Sequence, residues 1–117
     1  APAKNVDNIV AIVDYNKKQI DGPTDDVLSL GDLRAKYESF GWKVWECNGN
    51  DMQELVDTFN KIRENAHKGQ SQILLAHTEM GMGVDFMMGT HKWHGVAPND
   101  EQAANALSQL KETLGDY

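Results

Sequence analysis

Apolar positions along the chain follow two spacings, short continuous runs and runs that recur every three or four residues. Ile9 to Val13 is continuously apolar and mostly β-branched, the pattern of a strand covered on both faces. Ile73-Leu74-Leu75-Ala76 is a second run of this kind. Lys43-Val44-Trp45-Glu46-Cys47 alternates apolar and polar, which predicts a strand nearer a sheet edge. Helical spacing fills the intervals. The first predicted helix starts near Ser29, carries Leu33, Tyr37 and Phe40 at i, i+4 and i+7, and stops at Gly41. The second opens on Asn50-Asp51-Met52-Gln53, a start resembling a capping box. Its apolar face is Met52, Leu55, Val56, Phe59 and Ile62, with Gly69 beyond its end. The third begins after Pro98-Asn99-Asp100, spaces Ala103, Ala106, Leu107, Leu110 and Leu114 along one face, and closes at Gly115. This β-α-β-α-β-α order predicts an α/β fold, a three-layer, mostly parallel sheet with flanking helices and right-handed crossovers.

Thr78 to Pro98 shows neither period. Loops of this length in compact domains are usually functional or disordered. This one holds Gly81, Gly83, Gly89, Gly95, Met80, Met82, Met87, Met88, Phe86, Trp93, His91 and His94, and is too apolar for a disordered linker. It is expected to pack on a ligand, the sheet top or another subunit.

A parallel sheet places the loops after Val13, Cys47 and Ala76 on one edge, where open α/β sheets bind ligands. The first loop offers Asp14, Asn16 and Asp21, the second Asn48, Gly49 and Asn50, the third His77 and Thr78. Val13 to Gly22 carries two carboxylates, the carboxamide of Asn16 and a glycine. That composition suits an ordinary solvated turn as well as a seat for a hard cation and a phosphate. Asn16 offers a hard, neutral oxygen to Mg2+ or Ca2+, and nearby backbone carbonyls can add another. The spacing of His91 and His94 supports zinc poorly, since no Cys or carboxylate stands at ligand spacing. Gly81-Met82-Gly83 is only a fragment of a phosphate-loop pattern and opens no helix. The methionines read as flexible packing and Cys47 as a small buried hydrophobe.

The chain has 117 residues, which suits one domain. Its net charge of -7 argues against a nucleic-acid or anionic-membrane surface. An acidic protein still binds phosphates when a divalent cation and backbone N–H donors are present. Cys47 is the only cysteine and no N-x-S/T sequon occurs, so a reducing, cytoplasmic setting is expected. No apolar run reaches membrane-spanning length. The sequence enters its first strand within a few residues, so a piece of a larger unit is expected.

Asn8 to Thr24 resembles the second half of the thiamine-diphosphate motif of the transketolase family. Phe40-Gly41-Trp42-Lys43-Val44 resembles that family's next strand entry. His77-Thr78-Glu79-Met80-Gly81-Met82-Gly83-Val84 and Trp93-His94-Gly95-Val96-Ala97-Pro98-Asn99 resemble its late active-site loop. The likeness runs almost end to end, with several motifs in order. It implies thiamine-diphosphate- and Mg2+-dependent transfer of a two-carbon ketol unit between sugar phosphates, as in the pentose phosphate pathway. Residues 1–117 would then be part of one diphosphate-binding domain within a thiamine-diphosphate-binding fold.

By resemblance, Asn16 ligates the metal through its side chain and Lys18 through its backbone carbonyl. Ile20 and Met80 pack near the cofactor. His94 contacts the diphosphate region, faces the donor substrate and helps in proton transfer. The family's Gly-Asp-Gly segment, whose Asp is another metal ligand, would lie upstream of Asn8. Its cofactor-activating Glu comes from a separate pyrimidine-binding domain. The expected partners are therefore the remaining segment of the same domain and a pyrimidine-binding transketolase subunit, in an oligomer. Tyr15, Glu79 and Met82 depart from the common family residues and bear on substrate preference. The alternatives are a related thiamine-diphosphate enzyme such as 1-deoxyxylulose-5-phosphate synthase, a non-catalytic α/β binding module, or a degenerate relic.

Overall fold

The computed structural model describes residues 1–111. Three parallel strands form the main sheet in the order β1-β5-β4: β1 (Val10–Asp14), β4 (Lys43–Asn48) and β5 (Gln72–His77). A small antiparallel ladder, β2 (Lys18–Gln19) with β3 (Gly22–Pro23), follows β1. Four α-helices are present among the described residues: α1 (Thr24–Leu28), α2 (Leu33–Ser39), α3 (Met52–Glu64) and α4 (Asp100–Gln109).

β5 is the centre, and its residues Gln72 to Ala76 are buried. The two-residue alternation of a strand sends its side chains into two cores. Leu74 and Ala76 meet Cys47 and Ile62 on the α3 side, with Trp45 and Leu55 packed around them. Ile73 and Leu75 meet Val44 on the α2 side, with Ala11, Val13, Leu33, Tyr37 and Trp42. Helices thus flank both faces, as a parallel sheet requires. Gln72 is buried but satisfied: its Oε1 accepts from Trp45 Nε1 at 2.9 Å and its Nε2 donates to the Ile62 carbonyl at 3.0 Å.

The first helical region differs from its prediction. The helix expected from near Ser29 begins only at Leu33, where Asp32 caps α2 by accepting from Ala35 N at 2.9 Å, and the short α1 precedes the expected span. Gly41 does end that region, at φ 85°, where an L side chain is strained. At α3 the cap is Asp51, which accepts from Glu54 N at 3.0 Å. Glu54 does not close a capping box there; its carboxylate accepts from Asn48 N at 2.9 Å, tying the helix to the end of β4. The full capping box stands at α4, between Asn99 and Gln102. Leu114 and Gly115, predicted for the end of that helix, lie outside the described residues.

Two predicted faces are less covered than expected. β1 was expected to be covered on both sides, yet Ile9, Val10 and Ile12 are exposed, Ile12 by 59%. The reason is positional: β1 pairs only with β5, and α3 lies over β4, so the α3-side face of β1 has no layer above it. Along α3, Leu55 and Ile62 face the core, while Met52, Val56 and Phe59 face outward.

Candidate functional site

The three strand ends converge as strand order predicts. A cavity of about 310 Å³ lies there, with Asn16, Lys18, Asn48, Asn50, His77 and Thr78 among its lining residues. Each wall has a local cause. Beyond β1, Tyr15 N donates to the Ala76 carbonyl at 2.8 Å, which keeps the chain beside β5. Lys17 then turns at φ 58°, and Asn16 Oδ1 accepts from Lys18 N at 2.8 Å. Thr24 N donates to the Lys17 carbonyl at 3.0 Å. Ladder bonds alternate along an antiparallel pair, so Lys18, opposite Pro23, turns its own N–H and C=O outward. The carboxamide oxygen of Asn16 and the carbonyl of Lys18 therefore sit on one short, braced loop.

The second and third loops brace each other. Asn50 N donates to Asn48 Oδ1 at 3.0 Å, and Asn50 Oδ1 accepts from Glu79 N at 2.7 Å. Gly49 N donates to the His77 carbonyl at 2.7 Å. A Cβ on Gly49 would fall 2.5 Å from Thr78 Cγ2, so only glycine permits this approach. The Thr78 hydroxyl donates to Asp14 Oδ1 across the top of the sheet. Glu79 Oε1 accepts from Gly89 N at 2.8 Å, which folds the long segment back on itself. That segment, Thr78 to Pro98, contains no helix or strand. It docks on α4 through Asp85 and Gln109, with Asp85 N to Gln109 Oε1 at 2.8 Å.

On the α2 side of the cavity, polar side chains form a chain. Arg34 of α2 donates to Glu46 Oε1 at 2.5 Å and to Glu38 at 2.9 Å. The second Glu46 oxygen bonds His77 Nε2 at 2.8 Å. The His77 ring packs against Tyr15 at 5.3 Å between centroids, and Lys17 Nζ stands 5.6 Å from that tyrosine ring. The hydrogen bond from His77, then those from Arg34, hold the Glu46 carboxyl below its ordinary range despite partial burial. The same carboxylate raises Arg34 further above its ordinary value. Burial pushes the Cys47 thiol up, in keeping with its packing role.

Of the sequence-predicted site residues, Asn16 and Lys18 line the cavity. Ile20 is exposed at the hairpin turn. Met80 is half-buried, and His94 is exposed on the long segment; neither lines the cavity in this chain. Asp21 also stays outside it. Tyr15, Lys17, Glu79 and Met82 also line the cavity; Lys17 was not singled out from the sequence, and the other three only as departures bearing on substrate preference. Their signal was strand register: residues flanking a strand end share its crevice. Among the described residues, no group of three or more His, Cys, Asp and Glu side chains is placed to hold a metal ion. Asn16 and Lys18 offer a divalent cation two kinds of neutral oxygen, a carboxamide and a backbone carbonyl, on one loop.

A parallel α/β sheet with a polar crevice at its strand ends defines a ligand-binding domain of the doubly wound type. The chain matches the family model described as transketolase, thiamine diphosphate binding domain, over residues 1–115, and it belongs to the transketolase family. It is 39% identical over 109 residues to an apulose-4-phosphate transketolase subunit of Phocaeicola vulgatus, covering 93% of this chain and 38% of that protein. It is 30% identical over 112 residues to 6-deoxy-6-sulfo-D-fructose transketolase subunit SqwG of a Clostridium species, covering 96% and 40%. The chain thus spans about two fifths of the length of these curated relatives. In fold it is similar to the transketolase of Campylobacter jejuni, with a TM-score of 0.82 at 24% identity, covering 93% of this chain and 17% of that one. No helix among the described residues is long and apolar enough to cross a membrane.

Proposed function

We propose that this chain supplies part of a transketolase active site, using thiamine diphosphate and Mg2+ to move a two-carbon ketol unit between sugar phosphates. The observation that carries this reading is the braced loop at the end of β1, where Asn16 and Lys18 line a cavity within a family-matched domain. The donor set fits the group in kind. The Asn16 oxygen keeps a second lone pair after accepting from Lys18 N, and the outward Lys18 carbonyl adds another hard oxygen. Two oxygens fall short of an octahedral shell, so other chains or segments complete it. In this reading Asn16 and Lys18 hold the cation, Ile20 and Met80 pack near the cofactor, and His94 faces the donor sugar and moves a proton. When bound, the cofactor supplies the carbon nucleophile that no side chain of this domain provides.

The Phocaeicola and Clostridium relatives are each named as one subunit of a transketolase, which supports a split arrangement; in this reading the completing partner is a pyrimidine-binding subunit. A cytoplasmic location is part of the proposal. The test is calorimetric titration of thiamine diphosphate with Mg2+ into the completed assembly, alongside a ketol-transfer assay. Asn16→Ala is expected to weaken cofactor binding by about tenfold or more, a loss of about 1.4 kcal/mol. His94→Ala is expected to lower kcat with cofactor affinity retained. Unchanged cofactor affinity in Asn16→Ala would remove the metal role.

A further inference from the structure

We propose that His77 is an anion contact of this cavity, its ring held through Nε2 by Glu46 while Nδ1 donates to a phosphate oxygen of a bound diphosphate. The inference rests on reading the cavity as a diphosphate site. Four observations carry it. His77 lines the same cavity as Asn16 and Lys18. Its Nε2 is fixed on Glu46 Oε2 at 2.8 Å, and Nδ1 has no hydrogen bond among the described residues. The other Glu46 oxygen is taken by Arg34, so the carboxylate cannot swing away from the ring without losing that partner. The Tyr15 ring packs against the His77 ring at 5.3 Å between centroids.

The charge arrangement points the same way. Arg34 carries one positive charge against the two carboxylates it binds, Glu38 and Glu46. A doubly protonated imidazole has a donor at each ring nitrogen. An imidazolium between a carboxylate and a phosphate makes a charge-assisted hydrogen bond on each side. The protein is acidic overall, with a net charge of -7, so an anion site in it depends on local donors. Lys17 and Lys18 stand beside His77 on the cavity wall, and Glu79 is the one carboxylate among its lining residues.

Calorimetry on the completed assembly tests this with three probes: inorganic pyrophosphate with Mg2+, thiamine diphosphate with Mg2+, and thiamine. His77→Phe keeps a ring against Tyr15 and removes both nitrogens. It is expected to weaken pyrophosphate and thiamine diphosphate by about tenfold and to leave thiamine within about twofold. Glu46→Gln, which keeps an acceptor but not the charge, is expected to weaken the two diphosphates by about threefold. In the unmutated protein the 15N signals of the His77 ring are expected to shift on adding pyrophosphate. This arm decides the matter alone should His77→Phe fail to fold. Unchanged pyrophosphate affinity in folded His77→Phe, or unmoved His77 ring signals, overturns the proposal. Should the assembly bind pyrophosphate through His77 but refuse thiamine diphosphate, the cofactor reading falls and the His77 assignment stands. Binding of neither anion removes both.

Discussion

Glu46 shows how one side chain converts strand position into site geometry. It stands on the same face of β4 as Val44, above the α2-side core, and there it meets Arg34 from a helix and His77 from the neighbouring strand. Both partners favour its ionised form, so its folded-state pKa lies below the ordinary value of 4.5. A depressed carboxyl contributes stability that is present above its unfolded pKa and is lost as pH falls through the folded value. The expected outcome is a thermal midpoint for Glu46→Gln that lies below the unmutated protein's near neutrality. The gap should close as pH drops below 4.5. All three side chains are partly exposed, so the difference at neutral pH is expected to be small, up to about 1 kcal/mol. Melting curves from pH 7 to pH 3, roughly the span over which carboxylates titrate, measure it. A gap that widens in acid would contradict the sign.

At the scale of elements, β5 carries the fold and β1 carries the loop. Leu74 and Leu75 are fully buried, one in each core. Leu74→Ala is therefore expected to cost about 2–5 kcal/mol, the range for large-to-small changes in a packed core. Urea titration monitored by tryptophan fluorescence reads it, and a cost well under about 1 kcal/mol would mean that the strand is not central. The continuous run Ile73 to Ala76 made this element legible in the sequence, as the cap residues Asp51 and Asn99 did for the starts of α3 and α4. Strand order likewise made the convergence of Asn16, Asn48, Asn50, His77 and Thr78 legible. The chain Arg34-Glu46-His77 was not, because its links span 12 and 31 residues and leave no local period. The late start of α2 was hidden for another reason: Leu33, Tyr37 and Phe40 keep helical spacing whether the helix begins near Ser29 or at Leu33.

For the whole molecule, shape and surface argue together. The described fold is a slab of 52 × 40 × 17 Å with a radius of gyration of 17.4 Å. A compact domain of this length would have a radius near about 13 Å. A thin slab shows much of its apolar surface: Ile9 just before β1, Val10 and Ile12 on it, and Met52, Val56 and Phe59 on α3. Continuous β-branched runs belong to strands buried on both faces, and the β1 sequence has that character. Its bare face and its composition suit a further layer above it, which the split arrangement proposed above would allow. Ile12→Glu separates the cases. In the chain by itself, where Ile12 is 59% exposed, the substitution is expected to move stability by no more than about 0.5 kcal/mol. In the completed assembly it would place a carboxylate under an apolar layer, which prevents association or lowers the melting temperature sharply. Thermal melts and sedimentation in both settings measure the contrast. Equally small effects in each would mean that β1 faces water even in the assembly, and that the partner layer lies elsewhere.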